Sequence, residues 1–146
     1  MSNNYWGEIT WTFLHMIVEK IKEEQYENEK SKILELVKKI CNNLPCPECK
    51  QHASQYMKRV RVTHITRKKD FQIILFNFHN EVNKRLKKDL PDLDILEKYK
   101  YLDTVDTSKR FIKIFSKPVH NNRLMMDSLN RNFFMKELLA YFNENI

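Results

Sequence analysis

Two cysteines separated by two residues, Cys46-Pro47-Glu48-Cys49, carry the most reactive chemistry in this chain. Leu44 and Pro45 lead into them and Lys50-Gln51-His52 follow. Pro45 ends the preceding element, and Pro47 opens a new helix. Cys46 then stands at a helix N-terminus with Cys49 in its first turn, which is a geometry for a redox-active disulfide. Helix N-terminal amides favour a thiolate, so the spacing predicts a lowered pKa for Cys49. That makes Cys49 a good leaving group when an outside thiolate attacks Cys46.

The rest of the chain must position this pair. Its 146 residues fit one domain with a real core. A single glycine and four prolines favour helices over a sheet rich in tight turns. No internal repeat is visible, and no stretch is long and apolar enough to span a bilayer. The start, Met1 to Trp6, lacks a basic region followed by an apolar run, so a cytosolic protein without a secretory signal is expected. In that compartment a C-x-x-C is more often catalytic or metal-binding than architectural. The formal charge of +7 is compatible with an anionic cofactor near Lys84, Arg85, Lys87 and Lys88; elsewhere it reads as a lysine-rich solvated surface.

Asn3 and Asn4 are suited to cap a first helix running to about Glu24, with Ile9, Phe13, Ile17 and Ile21 as its core stripe. Trp11, Leu14, His15 and Val18 lie beside that stripe. Gly7 lies one turn before Trp11, where glycine costs helix stability and is explained by close approach of another group. A polar segment, Glu23 to Lys30, joins to a second helix with Ile33, Leu36, Val37, Ile40 and Leu44 inward. Cys41 on this helix reads as a small buried hydrophobe, with an auxiliary thiol as the alternative. A third helix runs from Pro47 to about Val60, and Arg59 to Lys69 is a basic connector. Asp70 caps a fourth helix, Phe71 to about Lys88. Its apolar stripe is flanked by His79, Asn83 and Lys87 at i, i+4, i+8, with Asn80 adjacent. Such an edge suits a flat ligand that is partly apolar and partly polar. Leu90 to Leu102 is a short fifth helix. Thr107 or Ser108 caps a turn through Phe115, Pro118 breaks it, and Arg123 to Asn143 forms a last amphipathic helix.

Three chemistries use such a pair. A zinc site needs four ligands, and Cys46, Cys49 and His52 offer three. A thioredoxin-like oxidoreductase needs strands around the motif, where this chain has helices. A flavin-linked thiol oxidase in a helix bundle needs the C-x-x-C at a helix start, aromatic and histidine groups on neighbouring helices, and cations for a pyrophosphate. All are present.

Three blocks also resemble the Erv/ALR sulfhydryl oxidases: Trp6-Gly7 with Trp11, Leu14 and His15; Cys46-Pro47-Glu48-Cys49; and His79-Asn80-Glu81-Val82-Asn83 through Leu86. The resemblance covers about residues 5 to 102 and is greatest to the compact forms of large cytoplasmic DNA viruses. It implies an all-α fold, a four-helix bundle with a short fifth helix, here as residues 1–103; outside the resemblance, the residue pattern adds a helical C-terminal extension, 104–146, packed on the same domain or at a dimer surface. It implies bound FAD and no metal, a homodimer, and no nucleic acid or membrane partner. The expected setting is the cytoplasm of a host cell or a virion.

By matching positions, Cys49 is the cysteine next to the flavin and Cys46 the one that exchanges with substrate. Gly7, Trp11, His15, His52, His79, Asn80, Val82 and Asn83 would line the cofactor, and Lys87 and Lys88 would meet its phosphates. Tyr99 or Tyr101 would stand against adenine. The activity implied is oxidation of protein dithiols to disulfides with electrons passing to molecular oxygen, giving hydrogen peroxide. The chain departs from many family members in lacking a structural disulfide after the third block and an intrachain shuttle pair. Clients would reach Cys46 directly or through a separate dithiol relay protein. A zinc-binding or partner-binding helical adaptor is the alternative.

Overall fold

In the computed structural model, residues 5–115 are described, and all regular structure among them is helical. The chain runs through α1 (Tyr5–Lys20), α2 (Glu23–Cys41), α3 (Pro47–Lys58), α4 (Lys68–Arg85) and α5 (Thr104–Phe115). Short 3₁₀ segments, Val62–His64 and Leu93–Tyr101, precede α4 and α5 respectively. The four-helix bundle is α1 to α4, as expected. The expected cap at Asn3 and Asn4 and the last helix after Pro118 lie outside the described residues.

α1 is the central rod. Eight of its described residues are buried, Ile9, Thr10, Phe13, Leu14, His15, Met16, Ile17 and Val18, and so is Ile21 just past its end. At 100° per residue these cover most of the helix circumference, leaving a narrow strip at Glu8, Thr12 and Glu19. A helix buried on nearly every side needs neighbours on several faces. α4 and α5 contact it, as does the Leu93–Tyr101 segment. Phe13 lies parallel to Phe111 of α5, with ring centroids 4.1 Å apart, and Phe115 stacks on Phe111 at 4.9 Å. Residues 104–115 are therefore part of the core.

Several expected boundaries move. The segment from Glu23 to Lys30 is the first two turns of α2 rather than a linker. Its Glu- and Lys-rich sequence has high helix propensity, and Tyr26 within it is buried, its hydroxyl donating to the Ile65 carbonyl at 2.6 Å. α4 starts before Asp70, after Arg67. Asp70 serves the helix start from inside, accepting from the Arg67 backbone N–H at 2.9 Å and from its guanidinium at 2.8 Å. α5 begins after Asp103, whose carboxylate accepts the Asp106 N–H at 2.8 Å. Thr107 and Ser108 are buried within the helix rather than capping it. The segment expected as a fifth helix is a 3₁₀ run, Leu93–Tyr101.

α4 ends in a left-handed turn. Lys87 has φ 58°, the Lys87 N–H donates to Lys84 and the Lys88 N–H to Asn83 at 2.8 Å. These two bonds satisfy orphan carbonyls of the last turn, with Lys87 in the position glycine usually takes. The turn reverses the chain so that Leu93–Tyr101 returns along α1 and α4.

Candidate functional site

The cysteine pair sits at the junction of α2 and α3. Asn43 Nδ2 donates to the Lys39 carbonyl at 2.7 Å, closing the end of α2. Ser54 Oγ donates to Asn42 Oδ1 at 2.5 Å, fastening that end to α3. Cys46 is the N-cap of α3: its backbone is extended, and its sulfur accepts the Cys49 N–H at 3.3 Å. Both cysteines are half-buried free thiols.

The expectation of a lowered pKa for Cys49 is overturned. Burial pushes its thiol up to about 12, helped by its hydrogen bond to Cys46 and by the negative charges of Cys46 and Glu48. The Cys49 amide points at the sulfur of Cys46, and Cys49 itself lies in apolar surroundings, where burial outweighs the helix start.

A cleft of about 550 Å³ opens beside the pair. Cys49 lines it and Cys46 does not. Its apolar wall includes Trp11, Leu14, Leu44, Ala53, Phe78 and Val82, and its polar wall includes His52, His79, Asn83, Lys88 and Tyr99. That size and mixture suit a cofactor-sized ligand. Gly7 also lines the cleft, and its φ is not positive. Its backbone therefore does not require glycine; the missing Cβ leaves room at the wall. Cys41 is buried in the core, with its thiol pushed up to about 12 by burial, and it too borders the cleft.

Behind the wall runs a ladder of rings. Tyr56 stacks on Phe78 at 4.4 Å, Phe78 meets Trp11 edge-on at 5.0 Å, and Trp11 lies parallel to His79 at 4.0 Å. His79 Nδ1 and His15 Nε2 are 3.1 Å apart, and His15 stacks on Tyr99 at 4.7 Å. One of those two nitrogens must donate and the other accept, so at least one of the two rings is neutral. Burial lowers His15 to about 3, with His79 and Lys98 adding to the effect. Burial, then Lys98 and Lys88, lowers His79 to about 4.

This gives a pH signature. Both histidines are neutral when folded but take up protons near pH 6.5 when unfolded. Below about 6.5 the unfolded chain binds the extra protons, so stability is full above that value and falls as pH drops toward the folded pKa values. For His15 the loss is on the order of 2 kcal/mol by pH ~5. Denaturation midpoints measured between pH 7.5 and 5 should drop in the parent and drop less in His79→Gln. Equal slopes in the two proteins would refute the buried neutral pair.

The remaining expected site residues fall in different places. His52 lines the cleft, with Nε2 4.0 Å from Glu48 Oε1. Asn80 does not line the cleft; it ties the turn after α4, donating to the Pro91 carbonyl at 3.3 Å and accepting from Asn83. Lys88 lines the cleft, whereas Lys87 occupies the left-handed turn position and does not. Tyr99 is buried against His15, and Tyr101 is 84% exposed. Arg85, Lys98 and Arg110 line the cleft and were not singled out in the sequence as site residues. In the sequence Arg85 stands out only as one of a run of cations, Lys84 to Lys88. The other two come from segments without a periodic polar stripe. Among the described residues no group of three or more His, Cys, Asp and Glu side chains is arranged to hold a metal ion. No described helix is long and apolar enough to cross a membrane.

A comparison with known families decides the relationship. The profile of the Erv1 / Alr family matches residues 8–103, which contain the C-x-x-C and almost all of the cleft. The chain belongs to the Erv1/Alr family. Curated relatives agree with this membership. A protein of African swine fever virus named FAD-linked sulfhydryl oxidase is 33% identical over 84 residues, covering 58% of this chain and 70% of that protein. A putative FAD-linked sulfhydryl oxidase of Invertebrate iridescent virus 3 is 30% identical, covering 57% of each. The FAD-linked sulfhydryl oxidase ERV1 of Arabidopsis thaliana is 30% identical over 82 residues, covering 56% of this chain and 42% of that protein. No solved structure matches at the same stringency. The Erv1/Alr match stops at residue 103, so α5 lies beyond it.

Proposed function

We infer that this chain is an FAD-dependent thiol oxidase in which Cys46 exchanges with client dithiols and Cys49 faces the cofactor. The observation that carries the assignment is the asymmetry of the pair: Cys49 lines the cleft and Cys46 stands outside it. The names of the viral and plant relatives support FAD as the cofactor. The cleft fits it: a missing Cβ at Gly7, an apolar ring-lined wall, and four cations against the single carboxylate of Glu8. Trp11, Phe78 and Val82 would hold the flat ring system, and Lys88 and Lys98 the phosphates. When bound, FAD accepts an electron pair from thiols and returns it to dioxygen.

The chain's own steps follow from the geometry. In the oxidised protein, Cys46 and Cys49 are joined. A client thiolate attacks Cys46 Sγ, forming a client–Cys46 bond and breaking the Cys46–Cys49 bond. Cys49 leaves as a thiolate that retains the bonding pair. Burial makes that thiolate costly and basic, and a more basic thiolate is the stronger electron donor. The client's second thiolate then attacks the client sulfur of the mixed disulfide, releasing Cys46 as a thiolate and leaving the client with its own disulfide. Remaking the Cys46–Cys49 bond releases an electron pair, for which bound FAD would be the acceptor. His15 and His79, neutral and mutually bonded, fix the orientation of Trp11 beneath the cleft.

Reduced protein dithiols or a separate dithiol relay are the client class. Buried Cys41 is poorly placed to act as a shuttle. Purified protein should be yellow and should consume oxygen with dithiothreitol while producing peroxide. A colourless protein that takes up no FAD on titration would overturn the reading. The zinc-adaptor alternative finds no ligand set among the described residues.

A further inference from the structure

The cleft is not built by the Erv1/Alr segment alone. α5 lies beyond the family match, yet its Arg110 lines the cleft together with Glu8, Thr12 and Trp11 of α1. Its position is fixed by packing. The next residue, Phe111, is fully buried and stacked on Phe13, so the α5 backbone at Arg110 is pinned to α1. The charged residues of the lining are Arg85, Lys88, Lys98 and Arg110, with Glu8 alone opposing them. Among the described residues no ion pair or side-chain hydrogen bond engages Arg110. Four cations round one cleft repel one another unless an anion enters it.

FAD carries its formal negative charge on one group, the diphosphate. We propose that Arg110 of α5 is a ligand for the FAD diphosphate, so that the C-terminal helix completes the cofactor site. The inference rests on the oxidase reading above. A guanidinium presents a planar fork that matches phosphate oxygens two at a time, which an ammonium does not. Arg110 thereby ties cofactor retention to the docking of α5: FAD holds α5 against the bundle, and α5 holds FAD in the cleft.

The test is cofactor affinity rather than turnover. Full-length protein stripped of flavin is titrated with FAD and, separately, with riboflavin, which has the ring system but no phosphate. Arg110→Ala should weaken FAD by about tenfold or more, leave riboflavin unchanged, and speed FAD release from the holoprotein on dilution. Arg110→Lys should recover part of the loss. Lys109→Ala, one residue away and exposed, should bind both flavins as the parent does. Unchanged FAD affinity in Arg110→Ala overturns the proposal. Equal weakening of FAD and riboflavin also overturns it, because Arg110 would then act by supporting the fold. If the parent itself binds no FAD, the oxidase reading fails first and this inference falls with it.

Discussion

A Cys49→Ser protein should bind FAD like the parent and lose thiol-driven oxygen uptake by at least about three orders of magnitude. Serine keeps the size of the side chain and the wall of the cleft, so the cofactor site survives. It cannot form the bond to Cys46 or hold the electron pair that leaves when a client attacks. Loss of activity alone would not separate the two cysteines, since Cys46→Ser should also be inactive with protein dithiols. The separating measurement is adduct trapping. Challenged with a small disulfide, the Cys46 thiolate of Cys49→Ser attacks one sulfur, expels the other as a thiolate, and keeps the first as a mixed disulfide. With no thiol at position 49 to attack it, that adduct persists and is read by mass. In Cys46→Ser the remaining thiol lines the cleft, and burial, the largest cause of its raised pKa, still disfavours its thiolate. Its adduct should form far more slowly. Normal turnover by Cys49→Ser, or faster trapping on Cys49 than on Cys46, would reverse the assignment.

The parts of this site that were legible in the sequence are those with a local rule behind them. Cys46-Pro47-Glu48-Cys49 declares a helix start, and α3 begins at Pro47 as that rule requires. His79 and Asn83 are one turn apart on α4, and both reach the cleft. The charge state of Cys49 was not legible. Position in a helix's first turn says that amides are near, but not that the amide in question points at the other sulfur. The i, i+4, i+8 spacing put Lys87 on the polar stripe with His79 and Asn83, yet it is Lys88 that lines the cleft. A left-handed turn at a non-glycine residue separates them, and nothing in their side chains signals it. The first turns of α2 lack a clear apolar stripe, so periodicity misses a helix that propensity would have found. Lys98 and Arg110 reach the cleft only because two later segments fold back along α1. That return is a property of the tertiary fold, and no local pattern at either residue announces it.

The same fold-back makes the described part of α5 a contributor to the core. Phe111→Ala should destabilise the protein by about 3–5 kcal/mol, the range for removing a fully buried aromatic side chain. Phe111 is 0% exposed and lies between Phe13 of the central helix and Phe115 of its own. Its loss removes both stacking contacts and opens a cavity against α1, the helix on which the bundle and the cleft are assembled. Denaturant unfolding of flavin-free protein measures the effect directly. Val105→Ala, on the same helix but 62% exposed, should stay within about 0.5 kcal/mol of the parent. A Phe111→Ala loss below about 1 kcal/mol would mean that α1 to α4 hold together without α5. A large loss, by contrast, makes cofactor binding and stability interdependent. If α5 carries both a core aromatic and a phosphate ligand, saturating FAD should restore part of the stability removed from Phe111→Ala, because only the docked helix offers Arg110 to the cofactor. The same concentration of riboflavin should restore less, since it has no diphosphate for that arginine to hold.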